Sequence, residues 1–136
     1  MPSIKDIRWK SLASVHDNRG ILTSVESDID IPFEIKRIFY MHHVISERGG
    51  HAHTDTDQLV IAISGSFIIK LFDGVKRVEF KMDDPVKGLY IPRMIFIELF
   101  DFSEDAVCLV LASTNYDMKK SIRNLGDYMK SVNLKQ

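Results

Sequence analysis

Residues 48–60 read Arg-Gly-Gly-His-Ala-His-Thr-Asp-Thr-Asp-Gln-Leu-Val, and a largely apolar run interrupted at Gly65 continues from them to residue 71. Side chains at positions i and i+2 of a strand point to the same face. If the segment is extended, His51 and His53 project side by side, and if that face lines a barrel, both imidazoles enter one cavity. Such a pair suits metal binding or proton transfer, because histidine titrates nearest to neutral pH. Two surface histidines in a loop before a strand are the alternative.

The rest of the chain reads as short strands separated by turn signals, with a change to helical spacing of apolar residues from residue 117 onward. This pattern predicts an all-β sandwich or barrel with one short C-terminal helix. Asp73-Gly74 is a hairpin signal. The predicted strands are 21–25, 33–44 (covered on both faces), 59–72, 75–82, 88–92, 94–100 and 106–113.

Composition excludes several classes of protein. The chain has 136 residues, 45% of them hydrophobic, and a formal charge of −1. These values fit a single domain over residues 1–136 and lack the basic footprint of a nucleic-acid-binding protein. The N-terminus has no apolar signal region, and no apolar run reaches membrane-spanning length. The sequence therefore predicts a cytoplasmic protein, with Cys108 as a small buried hydrophobe.

A barrel with His-x-His on an inner strand resembles the cupin superfamily, whose usual metal-binding pattern adds a glutamate and a third histidine on a distant strand. Here the glutamate position falls on Asp57 or Gln58, and residues 88–100 contain no histidine. A catalytic metal site normally has three protein ligands. We therefore predict neither a metal nor another cofactor. A metal-dependent dioxygenase-type cupin is the alternative, and iron bound in stoichiometric amount would support it.

Without a metal, the two histidines either serve acid–base chemistry or have a structural role. Removing a proton from a carbon beside a carbonyl needs a base with a pKa near neutrality and a donor that stabilises the enolate oxygen. Two adjacent imidazoles can divide these tasks, with a nearby arginine as a second candidate for the donor.

Several motifs together resemble the dTDP-4-keto-6-deoxyglucose 3,4-ketoisomerases, small metal-independent cupins of deoxysugar biosynthesis. The resemblance runs from Asp17 to about Arg123. The histidine motif with its Arg-Gly start and trailing glutamine carries most of the weight. The matching pieces are Asp17-Asn18-Arg19-Gly20, residues 31–37, residues 48–53, Gln58, Gly65-Ser66, residues 88–92, residues 110–113 and Tyr116-Asp117.

The resemblance implies a reaction and a set of roles. The 4-keto sugar loses its C3 proton, passes through an enediolate and is reprotonated at C4, which prepares a 3-amino-3,6-dideoxysugar. His53 maps onto the general base, His51 onto its catalytic partner, and Arg19 onto a residue near the transferred proton. The candidate substrate-binding residues are Arg37, Arg48, Tyr40, Gln58 and Glu98.

One departure from the family concerns the product. Family members usually carry Trp and then His or Arg where Phe96 and Ile97 stand here. An aliphatic side chain cannot relay a proton, so Ile97 leaves the C4 configuration open. The predicted partners are the dTDP-linked 4-keto-6-deoxyhexose and a second copy in a homodimer with exchanged strands. The alternatives are a non-catalytic sugar-nucleotide-binding cupin and a dTDP-sugar 3,5-epimerase.

Overall fold

The structure, a computed structural model, describes the backbone of residues 2–135 and the side chains of residues 2–133. In chain order, the strands and the helix are β1 Arg8–Ser11, β2 Ala13–Asp17, β3 Gly20–Ser24, β4 Arg37–His42, β5 Arg48–His53, β6 Gln58–Ser64, β7 Phe67–Phe72, β8 Arg77–Met82, β9 Lys87–Ile91, β10 Phe96–Phe100, β11 Val107–Ala112, β12 Ser121–Ile122 and α1 Leu125–Lys135.

These strands form two antiparallel five-stranded sheets and a separate hairpin. The first sheet has the order β1-β9-β6-β11-β4, the second has the order β12-β5-β10-β7-β8, and β2 pairs with β3 alone. The arrangement is jelly-roll-like, with two facing sheets instead of one continuously closed barrel. The predicted all-β class with a short C-terminal helix is confirmed.

The main core lies between the two sheets and follows the alternation of their strands. Val60 and Ala62 of β6 face Ile69 and Leu71 of β7 across it, and all four are almost fully buried. Cys108 of β11 lies in the same core with no exposed surface. Burial raises the pKa of its thiol to about 12. The cysteine is therefore the buried hydrophobe that the sequence predicts.

The outer face of the first sheet is only partly covered. The segment between β3 and β4 crosses it and buries Phe33 against Leu59 and Leu111. An apolar groove of about 420 Å³ remains beside this segment. On β4, Ile38 is 59% exposed. The predicted strand 33–44, covered on both faces, is thus wrong at both points, because residues 33–36 belong to the crossing segment and one face of β4 stays open.

The predicted C-terminal helix begins later than residue 117. Asp117 accepts a hydrogen bond from the Lys119 amide and caps a 3-10 turn over residues 118–120, after which β12 pairs with β5. The helix α1 follows Asn124, whose Oδ1 accepts a hydrogen bond from the Asp127 amide. It packs on the outer face of the second sheet through Tyr128 and Val132. Nowhere in residues 2–135 is a helix both long enough and apolar enough to cross a membrane.

Gly65, in the turn between β6 and β7, provides a test of this packing. Its φ is +64°, and an added Cβ would overlap Ser103 Oγ and lie 2.8 Å from the Ala106 Cα. Gly50 has a similar φ of +75° but open space around its Cβ position. We expect Gly50→Ala to cost about 1–2 kcal/mol from backbone strain, and Gly65→Ala to cost about 1–3 kcal/mol more because of the overlap.

Urea unfolding followed by circular dichroism measures both variants against the wild type. Equal losses of unfolding free energy in the two variants would show that the turn accommodates the methyl group.

Candidate active site

The two histidines of β5 lie side by side, as an extended segment requires. Their ring centroids are 4.9 Å apart, with the ring planes at 82° to one another. Both rings are half-buried and lie in one cavity with Phe39 of the first sheet, whereas Ala52 between them points to α1 and is fully buried. The alternation of the strand therefore places both histidines on one face and leaves the other face to pack against α1.

Gly49 allows β5 to approach its neighbour β10 closely. Its φ is +89°, and a Cβ on this residue would lie 2.7 Å from the Ile97 carbonyl oxygen. Ile97 is the register partner of His51, and the register shifts just beyond it. A side chain at position 49 would therefore push the two strands apart next to the histidines.

The histidines open into a cavity of about 410 Å³ that three separate parts of the chain complete. The first sheet contributes one wall, β5 the floor, and the segment after β11 the remaining wall. The lining residues are Arg37, Phe39, Arg48, His51, His53, Tyr116, Ser121 and Arg123.

Three arginines make this cavity strongly cationic. Among the described residues, the ion pairs are Arg19 with Asp17 and Arg93 with Asp57, so no carboxylate neutralises Arg37, Arg48 or Arg123. Positive charge in a concave, partly apolar site concentrates anions there. Guanidinium groups also match phosphate oxygens through their planar fork of donors. The cavity is therefore suited to a ligand that carries phosphate.

Arg37 is held by aromatic rings. Its guanidinium carbon lies 5.0 Å from the centre of the Phe39 ring and 5.3 Å from that of Tyr116. Its Nε is buried and has no hydrogen-bond partner among the described residues. Contact with aromatic faces orients a guanidinium without using its donors. Arg37 thus keeps its hydrogen-bonding capacity for a bound molecule.

His53 has the environment of a neutral base. Its Nδ1 lies 3.4 Å from Ser121 Oγ, and its Nε2 is buried with no hydrogen-bond partner in the part of the chain that the structure describes. Burial, followed by the charges of His51 and Arg37, lowers the pKa of His53 to about 4. Burial likewise lowers the pKa of His51. Both imidazoles are therefore uncharged at neutral pH, and His53 Nε2 is the nitrogen without a competing contact.

The structure brings only some of the predicted residues to this cavity. Arg37 and Arg48 line it. Gln58 is buried on the interior face of β6, the same face as Val60, but is not among the lining residues. Gln58 is therefore a buried amide on the interior face of β6 that does not line the cavity of the histidines.

Three other predicted residues lie outside the cavity of their own chain. Tyr40 is 62% exposed on the face of β4 opposite Arg37, and Glu98 is exposed on the face of β10 opposite Ile97. Strand alternation thus sends Tyr40 and Glu98 away from the histidines. The side chain of Arg19 is 86% exposed at the tip of the β2–β3 hairpin, 2.7 Å from Asp17.

Sequence reasoning missed the wall formed by Tyr116, Ser121 and Arg123. Arg123 lies in the stretch after residue 117 for which the sequence predicts a helix, but the helix begins only at residue 125 and Arg123 lines the cavity. The contact between Ser121 and His53 spans 68 residues of sequence. The Tyr116-Asp117 motif was the one local sequence signal for this wall, since Asp117 caps the turn after which β12 pairs with β5.

The described residues offer no ready metal site. Within residues 2–135, no group of three His, Cys, Asp or Glu side chains is arranged to hold an ion. Asp57, one candidate for the missing ligand, pairs with Arg93 at 3.1 Å. A mechanism without metal stays a prediction.

Comparison with known proteins shows the family. Residues 5–133 match the family model described as FdtA: WxcM-like, C-terminal. The TDP-4-oxo-6-deoxy-alpha-D-glucose-3,4-oxoisomerase of Aneurinibacillus thermoaerophilus is 38% identical over 125 residues, which cover 88% of this chain and 90% of that protein.

Solved structures agree with this match. The sugar 3,4-ketoisomerase QdtA of Thermoanaerobacterium thermosaccharolyticum, in complex with TDP, is 36% identical with a TM-score of 0.92, and the alignment covers 96% of each chain. A histidine-to-asparagine variant of QdtA holds TDP-4-keto-6-deoxyglucose and aligns over 95% of each chain, at 36% identity and a TM-score of 0.91. The chain described here belongs to the FdtA family, among relatives that are sugar 3,4-ketoisomerases.

Proposed function

We propose that this protein is a 3,4-ketoisomerase that converts TDP-4-keto-6-deoxyglucose into the 3-keto sugar, for later conversion into a 3-amino-3,6-dideoxysugar. The observation that carries the proposal is a pair of neutral imidazoles side by side in a cavity with three arginines that form no ion pair with any described carboxylate. The names of the relatives support the substrate. The sequence-based expectation of a cytoplasmic enzyme stays a prediction.

The reaction needs one base and one group that stabilises negative charge. His53 takes the C3 proton, the C3–H electron pair forms a C3=C4 double bond, and the π electrons of the C4 carbonyl move to its oxygen. The 3-hydroxyl then gives up its proton and C3 becomes the ketone, while C4 and its oxygen each receive a proton, which leaves a hydroxyl group on C4. No proton or electron is gained or lost overall, so the reaction needs no redox cofactor.

His51 and the arginines complete these roles. His51 lies beside the base and is the candidate to donate to the enediolate oxygen or to return a proton. Arg37, Arg48 and Arg123 are the candidates to bind the diphosphate, which supplies the negative charge that the cavity lacks. A diphosphate anchored there holds the sugar against the histidines.

Arg19 has a place in this mechanism only if a second copy supplies it. The β2–β3 hairpin pairs with no other described strand, and its apolar Val15, Ile21 and Leu22 are each more than half exposed. Ile38 on β4 and the apolar groove are also open. Free strand edges and apolar faces favour association. We therefore propose a homodimer in which the exchanged hairpin carries Arg19 to the partner's cavity.

The first test is proton NMR of TDP-4-keto-6-deoxyglucose in D₂O with a chelator present. We expect the wild type to form a 3-keto product with deuterium at C4. Removing a positioned base typically costs on the order of 10²–10⁴-fold in rate, so His53→Asn should lose conversion to that extent. His43→Asn is the matched control, since His43 is exposed and has a positive φ that asparagine tolerates.

Three outcomes of this experiment would contradict the proposal. TDP binding without exchange at C3 or C4 would indicate a sugar-nucleotide-binding protein. Deuterium at C5 would indicate a 3,5-epimerase. Full activity of His53→Asn, with TDP affinity unchanged, would remove His53 from the role of base.

The pH profile tests the electrostatics of the base. Because the pKa of His53 is lowered to about 4, its basic form predominates at neutral pH, and kcat/KM should fall only as the pH approaches that value. The charge of Arg37 contributes to the lowering. Arg37→Met should therefore move the acid limb upward, besides weakening TDP binding.

Circular dichroism at each pH separates protonation of the base from acid unfolding. An acid limb at or above the ordinary histidine pKa of 6.5, in the folded wild type, would contradict the assigned environment of His53.

Light scattering tests the dimer. We expect twice the chain mass of 15.6 kDa for the wild type. Ile38→Asp should dissociate the dimer, because it buries a charge in the proposed interface. Val75→Asp, at a position 71% exposed in the turn between β7 and β8, should leave the dimer intact.

Subunit mixing tests where Arg19 acts. Refolding Arg19→Ala together with His53→Asn should restore activity if Arg19 acts in the partner's cavity, since one site of the mixed dimer then has both residues. A monomeric wild type, or two inactive variants that never complement, would overturn this part of the proposal.

A further inference from the structure

A buried tyrosine on α1 is linked to the backbone of the histidine strand. Tyr128 has no exposed surface, and its hydroxyl lies 2.7 Å from the Met94 carbonyl oxygen and 3.0 Å from that of Phe72. Its ring packs against Phe72 and Phe96. The ring fills the space between the helix and the second sheet, while the hydroxyl makes the polar contacts.

The peptide groups of Met94 connect this hydroxyl to His53. The Met94 amide donates a hydrogen bond of 2.8 Å to the His53 carbonyl oxygen. Met94 has a φ of +66°, a left-handed conformation that is uncommon for a residue with a side chain. Met94 is therefore held in this conformation by hydrogen bonds at both its amide and its carbonyl. The first bond joins it to His53 and the second joins it to Tyr128 of the helix.

The opposite edge of β5 depends on the segment that precedes the helix. Ser121 is the register partner of His53, and the Thr54 amide donates to the Lys120 carbonyl oxygen at 2.8 Å. Arg123 follows directly and lines the cavity. The end of β5 is therefore held from one side by the Met94 turn and from the other by β12.

We propose that Tyr128 is a positioning residue for His53, acting through Met94, so that its hydroxyl sets the orientation of the base without touching the substrate. The inference rests on the proposed function of the histidine pair. Phenylalanine at position 128 would fill the same space against Phe72 and Phe96 but would leave the Met94 carbonyl without its donor. The Met94 turn, and with it the His53 carbonyl, would then lose one of its restraints.

Tyr128→Phe tests the proposal, with Val132→Ala as the matched control. Val132 is 1% exposed on the same helix and packs in the same cluster, but its side chain has no group that could donate a hydrogen bond to the Met94 carbonyl. Both variants remove buried interactions and should lower thermal stability. A small displacement of a catalytic group reduces the rate steeply, so we expect Tyr128→Phe to lower kcat roughly tenfold with KM changed less than about twofold.

Val132→Ala should keep kcat within about twofold of the wild type at a temperature where all three proteins are folded. Equal kcat values for the two variants, in the presence of an active wild type, would overturn the inference. An inactive wild type would instead refute the proposed function.

A measurement without substrate gives an independent answer. NMR titration of the histidine rings should show the pKa of His53 shifted upward in Tyr128→Phe and unchanged in Val132→Ala, because the low value depends on burial in the intact cavity. An unshifted His53 in Tyr128→Phe would contradict the positioning role.

If Tyr128→Phe does not fold, the comparison is repeated in a variant background that stabilises the helix. Gly126 is exposed in the first turn of α1, and alanine there gains about 1 kcal/mol of helix propensity. An added Cβ would meet only Asn124 Oδ1 at 3.4 Å. The comparison of kcat and of the His53 pKa is then made with Gly126→Ala in all three proteins.

Discussion

The pairing of β5 between β10 and β12 is the constraint on which the rest of the site depends. It places alternate residues of one strand on opposite faces, so that His51 and His53 face the interior while Ala52 is buried under α1. Because the spacing between β5 and β10 is set by backbone contact at Gly49, the position of both rings follows from sheet geometry. A base held by a ladder of backbone hydrogen bonds needs few side-chain partners, and among the described residues Ser121 is the only one in hydrogen-bond contact with the His53 ring.

The charges around the cavity lower the stability of the empty protein and favour the binding of an anion. Three guanidinium groups gather around two buried imidazoles with no carboxylate in ion-pair contact among the described residues. Such an arrangement is unfavourable for the empty protein and becomes favourable when an anion enters, because a ligand that binds only the folded state stabilises it by mass action. Burial is the main cause of the lowered pKa values of His51 and His53, and the arginine charges lower them further. The arginines therefore contribute both to attracting the substrate and to keeping the imidazoles unprotonated.

Sequence reasoning succeeded where the signal was local and periodic. His51 and His53 share a face because a strand repeats every two residues, and Asp73-Gly74 lies in the short connection between the paired strands β7 and β8, as its hairpin signal predicts. It failed where contacts were distant, as for Arg123, which reaches the cavity only because β12 pairs with β5. It also did not show that Tyr40 and Glu98 face away from the histidines of their own chain, since both faces of their strands carry mixed residues and the pattern alone does not say which face turns inward.

Cys108 has a consequence of its own. It is the single thiol of the chain, lies in the core between the sheets and has a pKa raised to about 12. The thiolate is the reactive form of cysteine, so alkylating reagents and mild oxidants do not react with this buried, protonated thiol while the sheets stay together. Modification of this sulfur therefore proceeds only as fast as the jelly roll opens. The rate of Cys108 modification therefore measures how often the two sheets separate transiently, without any engineered label.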